Sequence, residues 1–183
     1  MKLKTIIAIS GQISSGKSYA ANLVHNKFGF PIASFGGYLK HYCEQNNLAT
    51  DRKTLQDTGE DFVKTNPKQF LINVISHSIG SSDTIILEGI RHKSIFTEAT
   101  LLTENCLTIF TDADLQTRYN RYLKRNKDSD GLKTYKQFVI VNNHSVELEI
   151  ESLKPLCNIV LDSTKDYSPE LFSFLQSTPH RIK

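Results

Sequence analysis

A glycine-containing segment at residues 11–18, GQISSGKS, carries the strongest chemical signal in the sequence, because it fits the pattern G-x-x-x-x-G-K-S. An apolar, β-branched run precedes it at 3–10 and a helical pattern follows it at 19–25, so we predict a loop between a buried strand and a helix. Such a loop points backbone N–H groups at a phosphate, and the helix N-terminus adds partial positive charge. We therefore predict that the following residues bind a nucleoside triphosphate: Gly11, Ser14, Ser15, Gly16, Lys17, Ser18 and Tyr19.

Three residues in or near this loop suit the transfer of a phosphate group. Lys17 can reach the β- and γ-phosphates, and the Ser18 hydroxyl can hold Mg²⁺. Glu88 ends the apolar run 84–88, where an acid can bind Mg²⁺, directly or through water, or orient an attacking hydroxyl. We predict that Lys17 and Glu88 are catalytic and that Ser18 and Glu88 bind the metal. The alternatives are a glycine turn that binds no nucleotide and a strand that ends at the surface with ordinary charges.

Arginines occur in two places where they could contact anions. Arg91 follows the apolar run just described and offers a planar fork to the phosphate or carboxylate of an acceptor. Arg118, Arg121 and Arg125 share one face of a predicted helix at 115–125, and they would repel one another unless they meet anions. We predict that Arg121 and Arg125 stabilise a phosphoryl-transfer transition state and that Arg118 contacts the substrate. A solvated basic face is the alternative.

A polar segment after the second apolar run is the predicted acceptor side. Paired glycines beyond a strand end leave space for a substrate, and polar residues on the next predicted helix, 53–64, could read its hydroxyls or a base edge. Each of these residues alone is more typical of a surface or a cap. The predicted substrate-binding residues in this region are Ser34, Gly36, Tyr38, Lys40 and Gln56.

Two further polar pairs lie in the second half of the chain. Asp162 and Thr164 follow the last apolar run, where they could contact a purine, although both are also ordinary turn residues. His144 and Glu147 share a face of a predicted helix at 137–153. We predict that Asp162 and Thr164 help to bind the nucleotide and that the second pair is structural, outside the site.

Composition and charge describe an ordinary globular protein. The chain has 183 residues, 22% of them charged and 39% hydrophobic, and a net charge of +3. The three cysteines have no C-x-x-C spacing, so we expect neither a disulfide framework nor a zinc site, and a reducing, cytoplasmic location. The apolar runs are too short to span a bilayer and residues 1–3 lead directly into a strand, so we expect no membrane span and no signal peptide.

Apolar, strand-like runs alternate with helical patterns along the chain. After the first run at 3–10, the others are 31–35, 84–88, 106–111 and 158–161. The helical patterns between them are 38–46, 53–64, 69–78, 95–102 and 115–125. This alternation predicts an α/β fold in which helices cover both faces of a five-stranded parallel sheet. We expect one domain over 1–183, with an acceptor-binding helical region at about 36–80 and a mobile lid at about 126–134.

Six segments together give the chain a resemblance to a known family, over residues 6 to about 164. They are 9–18, 33–36, 55–60, 88–91, 111–113 and 121–125. By these segments the chain resembles the P-loop nucleotide kinases, nearest the adenylate kinase and dephospho-CoA kinase branch. The resemblance implies the three-layer P-loop NTPase fold with strand order 2-3-1-4-5, and it places Arg121 near the ATP base and Arg125 near the ATP phosphates. Glu88 stands where the family's D-G-x-R element has an aspartate, which is one methylene shorter.

Three functions remain open from the sequence. The leading one is a monomeric or homodimeric enzyme that uses ATP and Mg²⁺ to phosphorylate a small phosphorylated acceptor, such as a nucleoside monophosphate or a dephospho-CoA-like nucleotide. A second is a nucleotide-gated binding module that acts through a protein partner. A third is a kinase of polynucleotide ends, which is disfavoured because the basic residues cluster around the presumed ATP phosphates and no aromatic, basic stacking platform is visible. We expect no nucleic-acid or membrane partner, and the acceptor's identity stays open.

Overall fold

The computed structural model describes residues 3–124, 134–143 and 145–177, and over these ranges five strands alternate with nine α-helices. The strands are β1 (Thr5–Ser10), β2 (Ile32–Ser34), β3 (Thr84–Ile90), β4 (Asn105–Asp112) and β5 (Ile159–Asp162). The helices are α1 (Lys17–Phe28), α2 (Phe35–Gln45), α3 (Arg52–Thr65), α4 (Pro67–Ser78), α5 (Lys93–Leu102), α6 (Leu115–Lys124), α7 (Tyr135–Asn142), α8 (Ser145–Glu151) and α9 (Ser168–Ser177). Within these ranges, no helix is both long and apolar enough to cross a membrane.

The five strands form one parallel sheet in the order β2-β3-β1-β4-β5, which confirms the predicted fold class and strand order. β1 is central, pairs with β3 and β4, and has every residue buried. A strand that is covered on both faces must be apolar along its whole length rather than alternating. This is why the run before the glycine loop is almost continuously hydrophobic.

The side chains of β1 divide the core into two layers, because successive residues of a strand point to opposite faces. Ile6 and Ala8 pack in a cluster with buried residues of α4 and α5. Ile7 and Ile9 pack in a second cluster with buried residues of α1 and α9. The sheet is therefore covered by helices on both faces, and the central strand holds the glycine loop at its carboxyl end.

A third, smaller cluster connects α6 and α7 to the loop after β1. Its buried members are Ile13 of the loop, Tyr122 of α6 and Phe138 of α7, and Tyr119 and Val141 pack against them. The Tyr122 and Phe138 rings lie 5.2 Å apart, centroid to centroid. The arginine-bearing helix α6 is thus packed directly against the loop.

Side-chain caps start two helices earlier than the hydrophobic pattern predicts. Ser34 accepts a hydrogen bond from Gly37 N (3.3 Å), so α2 follows β2 directly and includes the paired glycines in its first turn. Asn66 accepts one from Gln69 N (2.9 Å), and Pro67 occupies the first position of α4. These caps satisfy the unpaired N–H groups of the first helical turn. Hydrophobic periodicity alone does not predict such caps, because it reflects only the positions of apolar residues.

The prediction of one helix over 137–153 is wrong, because this stretch holds two helices, α7 and α8. α7 ends at the pair Asn142 and Asn143, where Asn143 N donates to Val139 O (3.0 Å). Asparagine ends helices readily because its short amide competes with the backbone for hydrogen bonds. Glu147 lies in the second of these helices.

Candidate functional site

The loop that joins β1 to α1 is fixed by β4. Ser15 Oγ and Thr111 Oγ1 form a buried hydrogen bond of 2.8 Å, and Thr111 Oγ1 also lies 3.3 Å from Ser10 O. Gly11 lies against the same strand with a φ of 147°, and a Cβ there would come within 2.5 Å of both Thr111 O and Ser15 Oγ. Only glycine fits this position, because it tolerates the backbone conformation and adds no atom to the contact.

The interior of the loop has two features that a bound phosphate would account for. Ser14 is left-handed, with a φ of 60°, and its buried hydroxyl has no hydrogen-bond partner in the part of the chain that the structure describes. Both features cost free energy in a folded protein. Lys17 Nζ donates to Gln12 O (2.8 Å), so the lysine side chain folds back along the loop. The loop thus has the shape and the cation that the sequence pattern predicts.

Glu88 of β3 connects the loop between β1 and α1, which we call the phosphate loop, to the end of the neighbouring strand β2. Its Oε1 accepts a hydrogen bond from Ser18 Oγ (3.0 Å), and its Oε2 accepts one from Ser34 Oγ (2.8 Å). The register between β1 and β3 shifts beside it, because Ile9 pairs with Glu88 while the next residue pairs with Ile90. The skipped residue forms a bulge that changes the direction of the strand at the acid. The carboxylate therefore joins two parts of the predicted site.

The donor atoms beside the loop fit a magnesium ion. Mg²⁺ prefers oxygen ligands, and in phosphate-handling sites it binds one or two protein oxygens together with substrate phosphates and water. The Ser18 hydroxyl and the Glu88 carboxylate supply two such oxygens, 3.0 Å apart, at the first turn of α1. These two residues remain the predicted metal ligands.

A cavity of about 480 Å³ opens beside the phosphate loop, on the side of β5. Its lining comes from the loop, from α6 and from the segment between β5 and α9: Gly16, Tyr19, Arg121, Ser163, Lys165, Asp166, Tyr167 and Ser168. The Tyr19 and Tyr167 rings meet edge to face, with centroids 6.1 Å apart. Cavities of this size commonly hold small organic ligands. The position beside the loop suits the nucleoside part of a nucleotide.

Arg121 lies between the loop and this cavity. Its Nη1 donates to Ser163 Oγ (2.8 Å) and lies 3.5 Å from Ser15 O, while its Nη2 donates to Ser163 O. The guanidinium is thereby held over the same opening that Tyr19 and Tyr167 line. This position agrees with the expected place of Arg121 near the base of a nucleotide, which stays a prediction.

The two nucleotide-binding residues predicted after β5 form a turn. Asp162 Oδ1 accepts hydrogen bonds from Thr164 Oγ1 (2.6 Å) and Thr164 N (3.0 Å). Both hydrogen bonds lower the pKa of the Asp162 carboxyl from its usual value, and the bond from the Thr164 hydroxyl has the larger effect. The intervening Ser163, with Tyr167 further on, lines the cavity instead. The predicted residues and the residues that line the cavity belong to the same loop, and nothing in their residue types distinguishes which positions face the cavity.

Arg118 differs from Arg121, although both lie on the predicted arginine face. It is buried, and its guanidinium donates to Ala113 O (3.1 Å) and Asn142 Oδ1 (2.7 Å) and lies 3.5 Å from Ile13 O. Burial lowers the pKa of Arg118 from its usual value. These contacts join α6, α7 and the phosphate loop, so packing accounts for this side chain without a substrate.

The predicted acceptor residues are spread over several environments. Ser34 donates a hydrogen bond to Glu88, while Gly36 is exposed in the first turn of α2. Tyr38 packs among aromatic rings of the same region, and Lys40 is exposed, 3.9 Å from Glu44. The Gln56 side-chain nitrogen is buried without a hydrogen-bond partner among the described residues. By their positions, Ser34 and Gln56 are better candidates for substrate-binding residues than the other three.

A buried carboxylate that the sequence did not place in the site lies against the phosphate loop. Glu147 of α8 is completely buried, and its Oε2 accepts a hydrogen bond from Ile13 N (2.8 Å). Its Oε1 lies 3.1 Å from Arg91 Nη1 and 3.5 Å from Arg52 Nη2. We expected Glu147 to lie outside the site, and the sequence predicts no role for Arg52. Neither has a local sequence signal, because their partners are far away in the chain.

Several solved structures share this architecture over nearly the whole chain. Shikimate kinase from Aquifex aeolicus matches with a TM-score of 0.59 and 16% identity, covering 94% of this chain and 96% of that one. Shikimate kinase from Acinetobacter baumannii in complex with shikimate matches with a TM-score of 0.62 and 10% identity, over 96% and 93% of the two chains. The fold is that of the P-loop kinases. A putative kinase from Chloroflexus aurantiacus shares it, with a TM-score of 0.61 and 12% identity over 96% and 98%.

Comparison with known protein sequences does not assign the chain to a family. No family model matches the chain, and no curated protein matches it significantly. The solved structures above are all less than a fifth identical to it, so they establish the fold and leave the ligands open.

The candidate residues of this P-loop kinase fold collect at one edge of the sheet. The phosphate loop follows β1, Ser34 ends β2, Glu88 lies near the end of β3, and Ser163 follows β5. In open α/β sheets, ligands bind beyond the carboxyl ends of the strands. Chain topology therefore brings together residues that are far apart in sequence.

Part of the predicted site falls outside the described residues. Arg125 and positions 126–133 of the predicted lid belong to this part. The last lid position, Thr134, is described, and it caps α7 by accepting a hydrogen bond from Gln137 N (3.2 Å). The roles of Arg125 and of the lid stay predictions from the sequence.

Proposed function

We propose that the protein is a kinase that transfers the γ-phosphate of ATP, with Mg²⁺, to a small phosphorylated acceptor such as a nucleoside monophosphate or a dephospho-CoA-like nucleotide. One observation carries the proposal: Glu88 binds the Ser18 hydroxyl with one oxygen and the Ser34 hydroxyl with the other. The carboxylate thus lies between a loop that suits the donor phosphates and a strand end that suits an acceptor. Phosphoryl transfer requires the donor and acceptor phosphates to come together, and the two hydrogen bonds of Glu88 support that arrangement.

The donor half is supported by the loop and the adjoining cavity. Backbone N–H groups at the start of α1, with Lys17, would hold the β- and γ-phosphates. The nucleoside would lie in the cavity of about 480 Å³, between Arg121 and the two tyrosines, Tyr19 and Tyr167. Bound Mg²⁺ would neutralise charge on the transferring phosphate, and Ser18 and Glu88 are the residues that would hold it.

The acceptor half is supported by two arginines that converge on one point. Arg52 begins α3 and Arg91 follows β3, yet both reach Glu147 Oε1. Guanidinium groups match the geometry of a phosphate, because they present several N–H donors in a planar fork. Gln56 lies one helical turn after Arg52, on the same face of α3, and its buried amide nitrogen could serve the same ligand.

A phosphate acceptor fits the chemistry of these residues better than a hydroxyl acceptor. A phosphate monoester is already ionised at neutral pH, so its oxygen can attack without a general base. The protein then has to align the two phosphates and neutralise charge as the group moves. Lys17 and the arginines supply that charge, and Glu88 fixes Ser18 relative to Ser34. The kinase names of the solved structures with this fold support transfer of a phosphate group, and they do not bear on the choice of acceptor.

The proposal is tested by measuring ADP formation from Mg²⁺-ATP with and without a panel of nucleoside monophosphates, dephospho-CoA and oligonucleotides. We expect one class of small phosphorylated acceptor to raise turnover well above the rate with ATP alone. Lys17→Ala should lower that rate by about 10²-fold or more, since a charge contact in the transition state is lost. Lys68→Ala is the matched control, because Lys68 is exposed on α4 and should leave the rate unchanged.

The outcomes separate the three functions. Turnover stimulated only by oligonucleotides would point to a kinase of polynucleotide ends. Tight ATP binding without stimulation by any acceptor would point to the nucleotide-gated binding module. Wild-type turnover in a folded Lys17→Ala protein would reject residues 11–18 as the ATP site.

A further inference from the structure

Glu147 is the buried acid that neither the donor nor the acceptor half of the proposed reaction uses. Its side chain has no exposed surface, whereas those of Arg52 and Arg91 keep 19% and 34% of theirs. An incoming anion can therefore reach the arginines but not the carboxylate behind them. A buried carboxylate is unfavourable unless several donors surround it, and here Ile13 N and two guanidinium groups do so.

Three separate parts of the chain meet at this one side chain. Ile13 belongs to the phosphate loop, Arg52 begins α3, and Arg91 follows β3. The carboxylate divides its two oxygens between them, with Oε2 on the loop and Oε1 on the arginines. Glu147 therefore fixes the positions of the two arginines relative to the loop that suits the donor phosphates.

We propose that Glu147 is a positioning residue that holds Arg52 and Arg91 in the orientation that receives the anionic group of the acceptor, in register with the phosphate loop. This inference rests on the proposed function, since it assigns an ordering role within the same site. Glu147 does not contact the acceptor itself. It acts by removing the freedom of two long side chains before the acceptor arrives, so that less entropy is lost on binding.

A second acid nearby, Glu149 of α8, binds different groups: it lies 3.0 Å from His92 Nδ1 and accepts a hydrogen bond from Lys93 N (2.7 Å). Glu149 therefore serves as a matched control, because it packs the same helix without touching the arginines.

The chemistry of the substitution Glu147→Gln makes the test specific. An amide has a single acceptor oxygen, and the shorter contact, with Ile13 N, should keep it. The –NH₂ group then faces two guanidinium groups, all of them donors, so the arginines lose their partner while the loop retains its own. Glu147→Asp keeps the charge but shortens the side chain by one methylene. It should therefore retain part of the phosphate affinity that Glu147→Gln loses.

The experiment measures the affinity of inorganic phosphate, by titration calorimetry, for protein saturated with Mg²⁺ and a non-hydrolysable ATP analogue. The analogue occupies the donor phosphate positions, so that inorganic phosphate reports on the acceptor side. We expect Glu147→Gln to weaken phosphate binding by about tenfold or more, the size expected for losing a charged hydrogen-bond contact. Glu147→Asp should fall between that variant and the wild type, and Glu149→Gln should match the wild type. The affinity for the ATP analogue should be the same in all four proteins.

The possible results distinguish failure of the positioning role from failure of the proposed function. Unchanged or tighter phosphate binding in Glu147→Gln would overturn the positioning role, and so would equal losses in Glu147→Gln and Glu149→Gln. If Glu147→Gln does not fold, Glu147→Asp decides alone, and wild-type phosphate affinity in that variant overturns the role. A wild-type protein that binds the ATP analogue but not phosphate also overturns it, yet leaves the ATP site intact. Failure to bind the analogue at all would instead reject the proposed function.

Discussion

Replacing Gly11 with alanine tests whether β4 shapes the phosphate loop. The new Cβ would lie within 2.5 Å of Thr111 O and Ser15 Oγ, and Thr111 O belongs to the backbone of a strand that cannot shift cheaply. Inserting an atom into a packed site costs about 1–3 kcal/mol, and the φ of 147° adds strain of similar size for a residue with a Cβ. We expect Gly11→Ala to lower the free energy of unfolding by about 3 kcal/mol or more.

Gly29 provides the matched control for this substitution. It ends α1 with a φ of 73°, also in the left-handed region, but a Cβ there would meet nothing within 4 Å. Gly29→Ala should therefore cost only the backbone strain, about 1 kcal/mol. Both glycines gain the same unfolded-state benefit when replaced by alanine, so that effect cancels between the two variants.

The assay is urea unfolding without nucleotide, because a ligand that binds the native state would mask the difference. Affinity for an ATP analogue is measured in parallel, and it should fall by about tenfold or more in Gly11→Ala, because the loop must shift away from its phosphate-binding shape. Equal losses of stability in the two variants would refute the reasoning, since they would mean that contact with β4 has no effect.

Three other substitutions test the remaining parts of the site. Glu88→Gln should lower Mg²⁺-dependent turnover much more than nucleotide affinity measured without Mg²⁺, and equal loss of affinity with and without the metal would make Glu88 structural. Arg121→Ala should weaken ATP binding by about tenfold, as judged by calorimetry, because a charged hydrogen-bonding group is removed beside the cavity. Tyr167→Phe should leave the urea midpoint of the nucleotide-free protein unchanged or raise it, because the buried hydroxyl has no hydrogen-bond partner among the described residues; a large loss of stability would contradict this.

The parts of the site that the sequence predicted are those formed by neighbouring residues. The loop from Gly11 to Ser18 follows from local spacing and its flanks, and Glu88 follows from its place at the end of an apolar run. The strands and the parallel α/β sheet were also predictable, because hydrophobic periodicity is a local property of the sequence. The strand order came from the family resemblance rather than from any local pattern.

The parts that the sequence missed depend on long-range pairing. Glu147 is 134 residues from Ile13, 95 from Arg52 and 56 from Arg91, so no local spacing connects them. The spacing of Arg118 and Arg121 places both on one helix face, yet the structure buries Arg118. Only the packing of α6 against α7 reveals that this edge of the face is buried.

The bond between Ser15 and Thr111 has a consequence for how the chain acquires its function during folding. The whole glycine motif lies within the first 18 residues, yet the loop takes its shape from a residue 96 positions later. An N-terminal fragment that ends before β4 would carry the complete motif without the surface that forms it. During synthesis from the N-terminus, the nascent chain would therefore display the motif long before it could hold a nucleotide. The ability to bind a ligand would appear only when the centre of the sheet closes, late in folding, because such distant pairings are slow to form.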